Sequence, residues 1–112
     1  MLIRRILERG GWEVEDASGP VEAMEFLRSA EPPFTLAVLD IVLAGDSSGI
    51  SLAETMYREN PNLLFLFISG YVDLDVSSAA VPRQATSFLG KPLSEPRLIE
   101  GILALEQRAR KI

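Results

Sequence analysis

Phe34-Thr35-Leu36-Ala37-Val38-Leu39-Asp40 is the stretch on which the fold turns. A nearly unbroken apolar run closed by one acid is the pattern of a strand covered on both faces, with the acid at its carboxyl end. In open parallel sheets, ligands and chemistry gather beyond that end. A second run, Leu63-Leu64-Phe65-Leu66-Phe67-Ile68, closes in Ser69-Gly70. A third and shorter one, Ser87-Phe88-Leu89-Gly90, closes in Lys91-Pro92. A carboxylate, a hydroxyl and an ammonium, each at a strand end, predict one site on one edge of one sheet.

Working outward, Leu2, Ile3, Ile6 and Leu7 recur at helical spacing, and Gly10-Gly11 supplies the stop. Trp12 to Ala17 alternates apolar and acidic residues, which predicts a half-buried or edge strand. Ser18-Gly19-Pro20 opens a second helix whose apolar side is Val21, Met24, Phe26 and Leu27, and Pro32-Pro33 ends it. After a glycine-bearing loop (Ala44 to Gly49), a third helix is expected over Ile50 to Glu59, with Leu52, Ala53 and Met56 inward and a stop at Asn60-Pro61. A short helix is expected near Asp73 to Ala80, broken by Pro82. Ser94 reads as an N-cap, and Leu98, Ile99, Ile102, Leu103 and Leu105 give the last helix its apolar face. Alternation of strand and helix means parallel strands joined by right-handed crossovers.

The 112 residues fit one domain, 1–112, and a chain of this size buries roughly 65% of its unfolded surface. There is no cysteine, so disulfides and thiolate metal sites are excluded. There is no histidine, which excludes imidazole-based triads, zinc sites and a histidine phosphocarrier. A net charge of −5 argues against nucleic acid as a partner. The basic groups at each end (Arg4, Arg5, Arg9; Arg108, Arg110, Lys111) read as solvated helix faces. No apolar run reaches the length of a membrane span, and the start lacks a signal-peptide pattern, so the expectation is a cytoplasmic protein with no membrane partner.

Asp40 has two readings: a structural group that caps a loop, or a carboxylate nucleophile at the sheet edge. Ser69 by itself is a turn former, and Lys91 by itself a solvated strand-end lysine. Together they favour chemistry, because a phosphorylated or metal-bound carboxylate needs charge balance from an ammonium, and a hydroxyl can donate to a phosphoryl oxygen. Pro92 fixes the chain after Lys91 in one isomer or the other.

At these residues the chain resembles the receiver domains of two-component response regulators. The matching motifs are Leu39-Asp40-Ile41-Val42-Leu43-Ala44-Gly45, Phe67-Ile68-Ser69-Gly70-Tyr71 and Phe88-Leu89-Gly90-Lys91-Pro92-Leu93. The spacings, 29 residues from Asp40 to Ser69 and 22 from Ser69 to Lys91, also agree with receivers. The loop before Gly49 and the Ser-Gly-Tyr sequence are similar to receivers attached to hybrid sensor kinases. The resemblance implies a flavodoxin-like, doubly wound parallel sheet. It implies that Asp40 is the phosphoacceptor for a histidine kinase or phosphotransfer protein. Ser69 is then the switch hydroxyl, Lys91 the ion-pairing lysine and Phe88 the switch aromatic, although plain core packing also accounts for Phe88. It further implies a magnesium ion held by Asp40 and the backbone carbonyl of Val42. Such a domain signals through contacts, and at most catalyses phosphoryl transfer to itself.

The chain departs from the family at its start. A receiver begins with a strand ending in two adjacent acids that hold the magnesium, and this chain begins inside the helix that follows. The expectation is therefore a sheet lacking its usual first, central strand, and a weakened metal site. Asp46, or Asp73 with Asp75, are the acids that could stand in. The alternative is a degenerate receiver, acting as an interaction or dimerisation module without phosphoryl chemistry, and the gap in the sheet is expected to be filled either by a homodimer or by a segment that precedes the residues given. A dehalogenase-like phosphatase is disfavoured because Val42 stands where that family needs a second Asp.

Overall fold

The computed structural model describes residues 2–31, 33–40, 48–69, 81–82, 85–90 and 94–110. The elements are α1 (Leu2–Arg9), α2 (Pro20–Ser29), β1 (Leu36–Asp40), α3 (Ser48–Glu59), β2 (Leu64–Ser69), β3 (Thr86–Gly90) and α4 (Glu95–Arg110). They fall into two units, Met1–Phe34 and Thr35–Ile112.

In the first unit, α1 stops where its glycines require. The Trp12 N–H donates to the Leu7 carbonyl and the Gly11 N–H to the Glu8 carbonyl, both at 3.1 Å. Gly11 has φ +98°, and this left-handed residue closes a Schellman motif. The Trp12 ring lies over Gly10, so close that a Cβ at position 10 would sit 2.5 Å from it. Ile6 and Leu7 form the buried side of α1, and on its exposed side Arg4 pairs with Glu8 (3.3 Å) and Asp16 (3.6 Å). The start of α2 has an extended Gly19, Pro20 in the first turn, and the Glu22 carboxylate accepting the Ser18 N–H at 2.8 Å.

Two expectations fail in this unit. Trp12–Ala17 forms no strand. Its exposure begins by alternating as a strand's would, but a strand exists only through a hydrogen-bonded neighbour, and among the described residues none pairs with it. Val21 is 74% exposed, and the buried side of α2 is Met24 and Leu27. Val21 lies in the first turn, where an apolar residue can stay in solvent at little cost.

The second unit is a parallel sheet in the order β1-β2-β3. β2 lies in the middle, and Phe65, Leu66 and Ile68 are fully buried with Phe67 at 2% exposure, as a run apolar on both faces requires. Phe65 and Phe67 stack with ring centroids 6.4 Å apart. Leu98, Ile102 and Leu105 of α4 are all fully buried, at helical spacing. Leu103 is 49% exposed, contrary to expectation, because it sits about 100° round the helix from Ile102 and off that stripe. The N-cap reading of Ser94 holds: its hydroxyl accepts the Arg97 N–H at 3.4 Å and its carbonyl the Leu98 N–H at 3.0 Å. α3 turns Ala53 and Met56 inward and begins two residues earlier than its pattern predicts. The helix expected over 73–80 lies outside the described residues.

Candidate functional site

Because β1, β2 and β3 are parallel, their carboxyl ends share one edge. Asp40 is the last residue of β1 and pairs in register with Ile68. Ser69 is the last residue of β2 and pairs with Gly90, the last residue of β3. Asp40 and Ser69 thus end adjacent strands one residue out of step. A strand spacing near 4.8 Å and a rise near 3.3 Å put their backbones about 6 Å apart. Lys91 follows Gly90 directly in the sequence. Lys91 and Val42 lie outside the described residues, as do Asp46, Asp73 and Asp75.

Phe88 lies within β3 opposite Phe67 and is half-buried. That position suits both its readings: it is in register with the core residue Phe67 and keeps part of its surface outside. Asp40 is the one acid on the described strands, and among the described residues no three metal-ligating side chains gather. Among the described residues no helix is long and apolar enough to cross a membrane.

Two contacts behind the edge were not foreseen. The Arg108 guanidinium of α4 donates to the Thr86 carbonyl at the start of β3. Gly101, also on α4, lies against Leu89: a Cβ there would be 3.2 Å from Leu89 Cδ1. A glycine inside a helix costs about 1 kcal/mol relative to alanine, and that cost was the available signal for a close approach.

An acid and a hydroxyl ending neighbouring parallel strands, backed by helices, define an α/β signalling domain of the receiver class. The chain belongs to the response regulator receiver domain family, whose model matches residues 1–103, and is thus a domain of two-component signalling. It is 35% identical over 100 residues to the response regulator receiver protein CpdR of Brucella abortus, covering 88% of this chain and 79% of that protein. Other relatives are longer, and the chain spans only 10 to 39% of their length. The fold is similar to the crystal structure of the receiver domain of NtrX from Brucella abortus, with 30% identity, a TM-score of 0.74, and 94% and 88% of the two chains covered. It is also similar to a response regulator from Burkholderia pseudomallei solved with a phosphorylated aspartic acid, a calcium ion and citrate: 27% identity, TM-score 0.73, 98% and 64% covered.

Proposed function

We propose that residues 1–112 act as one receiver domain in the cytoplasm, with Asp40 as phosphoacceptor for a histidine kinase or phosphotransfer protein. A carboxylate oxygen of Asp40 attacks phosphorus and the phosphorus–nitrogen bond of the donor's phosphohistidine breaks. The electron pair leaves on the imidazole nitrogen, and an acyl phosphate remains on Asp40. Lys91 balances the added charge and the Ser69 hydroxyl donates to a phosphoryl oxygen. Phe88 then follows the hydroxyl and carries the change toward α4. What supports the reading most is that Asp40 and Ser69 end neighbouring parallel strands.

Magnesium is the ion the family implies. It prefers an octahedral set of oxygens, with one or two carboxylates, waters and substrate phosphate. The described strands supply one carboxylate, Asp40, so the described residues do not form a magnesium cage by themselves. That shortage also favours the second reading, a receiver used as an interaction module without phosphoryl chemistry.

Incubation with acetyl phosphate, followed by intact mass, separates the two readings. The first expects one phosphoryl adduct that is absent from Asp40→Asn. An unmodified mass under prolonged incubation, with amide spectra unmoved by beryllofluoride, refutes the phosphoacceptor role and leaves the interaction module.

A further inference from the structure

The helix α4 touches the rung of the sheet that carries Asp40. Asp40 pairs with Ile68 and Ile68 with Leu89, so these residues form one rung across the three strands, one step short of the Ser69–Gly90 pair at the edge. Ile68 is fully buried at the middle of the rung, and Leu89 meets Gly101 of α4 at its end.

A second contact joins the same two elements: the Arg108 guanidinium donates to the Thr86 carbonyl. From Gly101 to Arg108 a helix rises about 10.5 Å, and from Thr86 to Leu89 a strand spans about 10 Å. The two attachments are thus equally spaced on both elements, with α4 running antiparallel to β3. Between them the fully buried Ile102 and Leu105 hold the helix down. Beyond the Leu89 attachment β3 has only Gly90 left, and Lys91 follows it in the sequence.

Glycine is a poor residue for a helix interior, and helix stability alone favours alanine at position 101. An alanine Cβ would lie 3.2 Å from Leu89 Cδ1, so the leucine would have to give way. Glycine leaves Leu89 in place at the expense of the helix.

We propose that Gly101 is a positioning residue for the phosphoryl site. It seats α4 on Leu89 without displacing it, and so keeps the Asp40–Ile68–Leu89 rung, and the edge on which Ser69 and Gly90 pair, in line. The effect on reaction rate rests on the phosphoacceptor reading; the effect on the edge does not. Misplacement by a full ångström can slow a reaction about a hundredfold, and tenths of an ångström cost correspondingly less.

Amide spectra, thermal melts and rates of phosphorylation by acetyl phosphate, all on the full chain, test it. Gly101→Ala should melt above the parent, yet move the amide resonances of Ser69 and Gly90 and react about threefold more slowly. A merely structural glycine would let the rate follow the stability. Gly101→Leu should move the same resonances further and slow the reaction about tenfold, and Leu89→Ala added to it should return both toward the parent. Leu63→Ala, which truncates a fully buried residue at the other end of β2, should lose stability and keep both the edge resonances and the rate. Should Gly101→Leu not fold, Gly101→Ala decides by itself. Edge resonances unmoved by substitution at Gly101 overturn the proposal, whether or not the chain takes a phosphoryl group. So does Gly101→Ala reacting as fast as the parent, or Leu63→Ala slowed as much as the Gly101 variants. A parent that takes no phosphoryl group refutes the phosphoacceptor reading and leaves the resonances to decide this one.

Discussion

Replacing Gly101 tests how tightly α4 is seated on the sheet behind the site. Two effects oppose each other. Alanine in place of glycine in a helix interior gains about 1 kcal/mol of propensity. Against this, the new Cβ would lie 3.2 Å from Leu89 Cδ1, tighter than ordinary contact, with Cδ2 at 3.4 Å and Cγ at 3.5 Å in ordinary contact. The two nearest atoms are the free end of a half-buried leucine, which can retreat a few tenths of an ångström. That relief costs less than the propensity gain, so Gly101→Ala should be more stable by about 0.5 kcal/mol. At an unfolding entropy of about 2.1 cal/mol/K per residue, this raises the melting temperature by about 2 °C. Gly101→Leu cannot be relieved in this way and should lose about 2 kcal/mol, or about 8 °C. Leu89→Ala should return most of that loss, because the clash and its relief share one contact. Thermal melts of the four proteins complete the cycle. If Gly101→Leu melts with the parent, or Leu89→Ala returns nothing to it, the packing of α4 against Leu89 is not as described.

Ile102→Ala, which truncates a fully buried side chain of α4, should cost about 3 kcal/mol in a urea titration; a loss under 1 kcal/mol would deny that stripe its place in the core. Gly11→Ala should cost about 1 kcal/mol, since an L residue must take the left-handed conformation that closes the Schellman motif, and an unchanged denaturation midpoint would contradict that cap. Ser94→Ala should remove about 1 kcal/mol through loss of the bond to the Arg97 N–H, read in the same titration. Asp40→Asn should melt at or above the parent temperature while accepting no phosphoryl group; a collapse of the fold would make Asp40 a structural residue.

β1 and β2 were legible because a strand covered on both faces writes a nearly unbroken apolar word, and β3, half-buried along its length, was legible from its short Phe88-Leu89 run. That the strands run parallel followed from the alternation of strand and helix. The caps at Gly10-Gly11 and Ser94 were legible because their chemistry is local. Trp12–Ala17 misled because alternation records which side faces water and says nothing of whether a neighbour is present to bond. Val21 and Leu103 misled because hydrophobicity marks what can be buried, while the geometry of the stripe decides what is. At the site, the position of a residue at a strand end translated directly into the placement of Asp40 and Ser69 on one edge. The approach of Gly101 to Leu89 depends on how close α4 comes to β3, a distance that no periodicity carries.

The Trp12 ring resting on Gly10 has an optical consequence. This is the sole indole of the chain, and it belongs to the first unit. Emission excited at its absorption edge therefore watches the first thirty-four residues, while far-ultraviolet dichroism weighs every helix. Denaturant curves recorded both ways will superimpose if the chain melts in one cooperative step, and will separate if the units melt in turn.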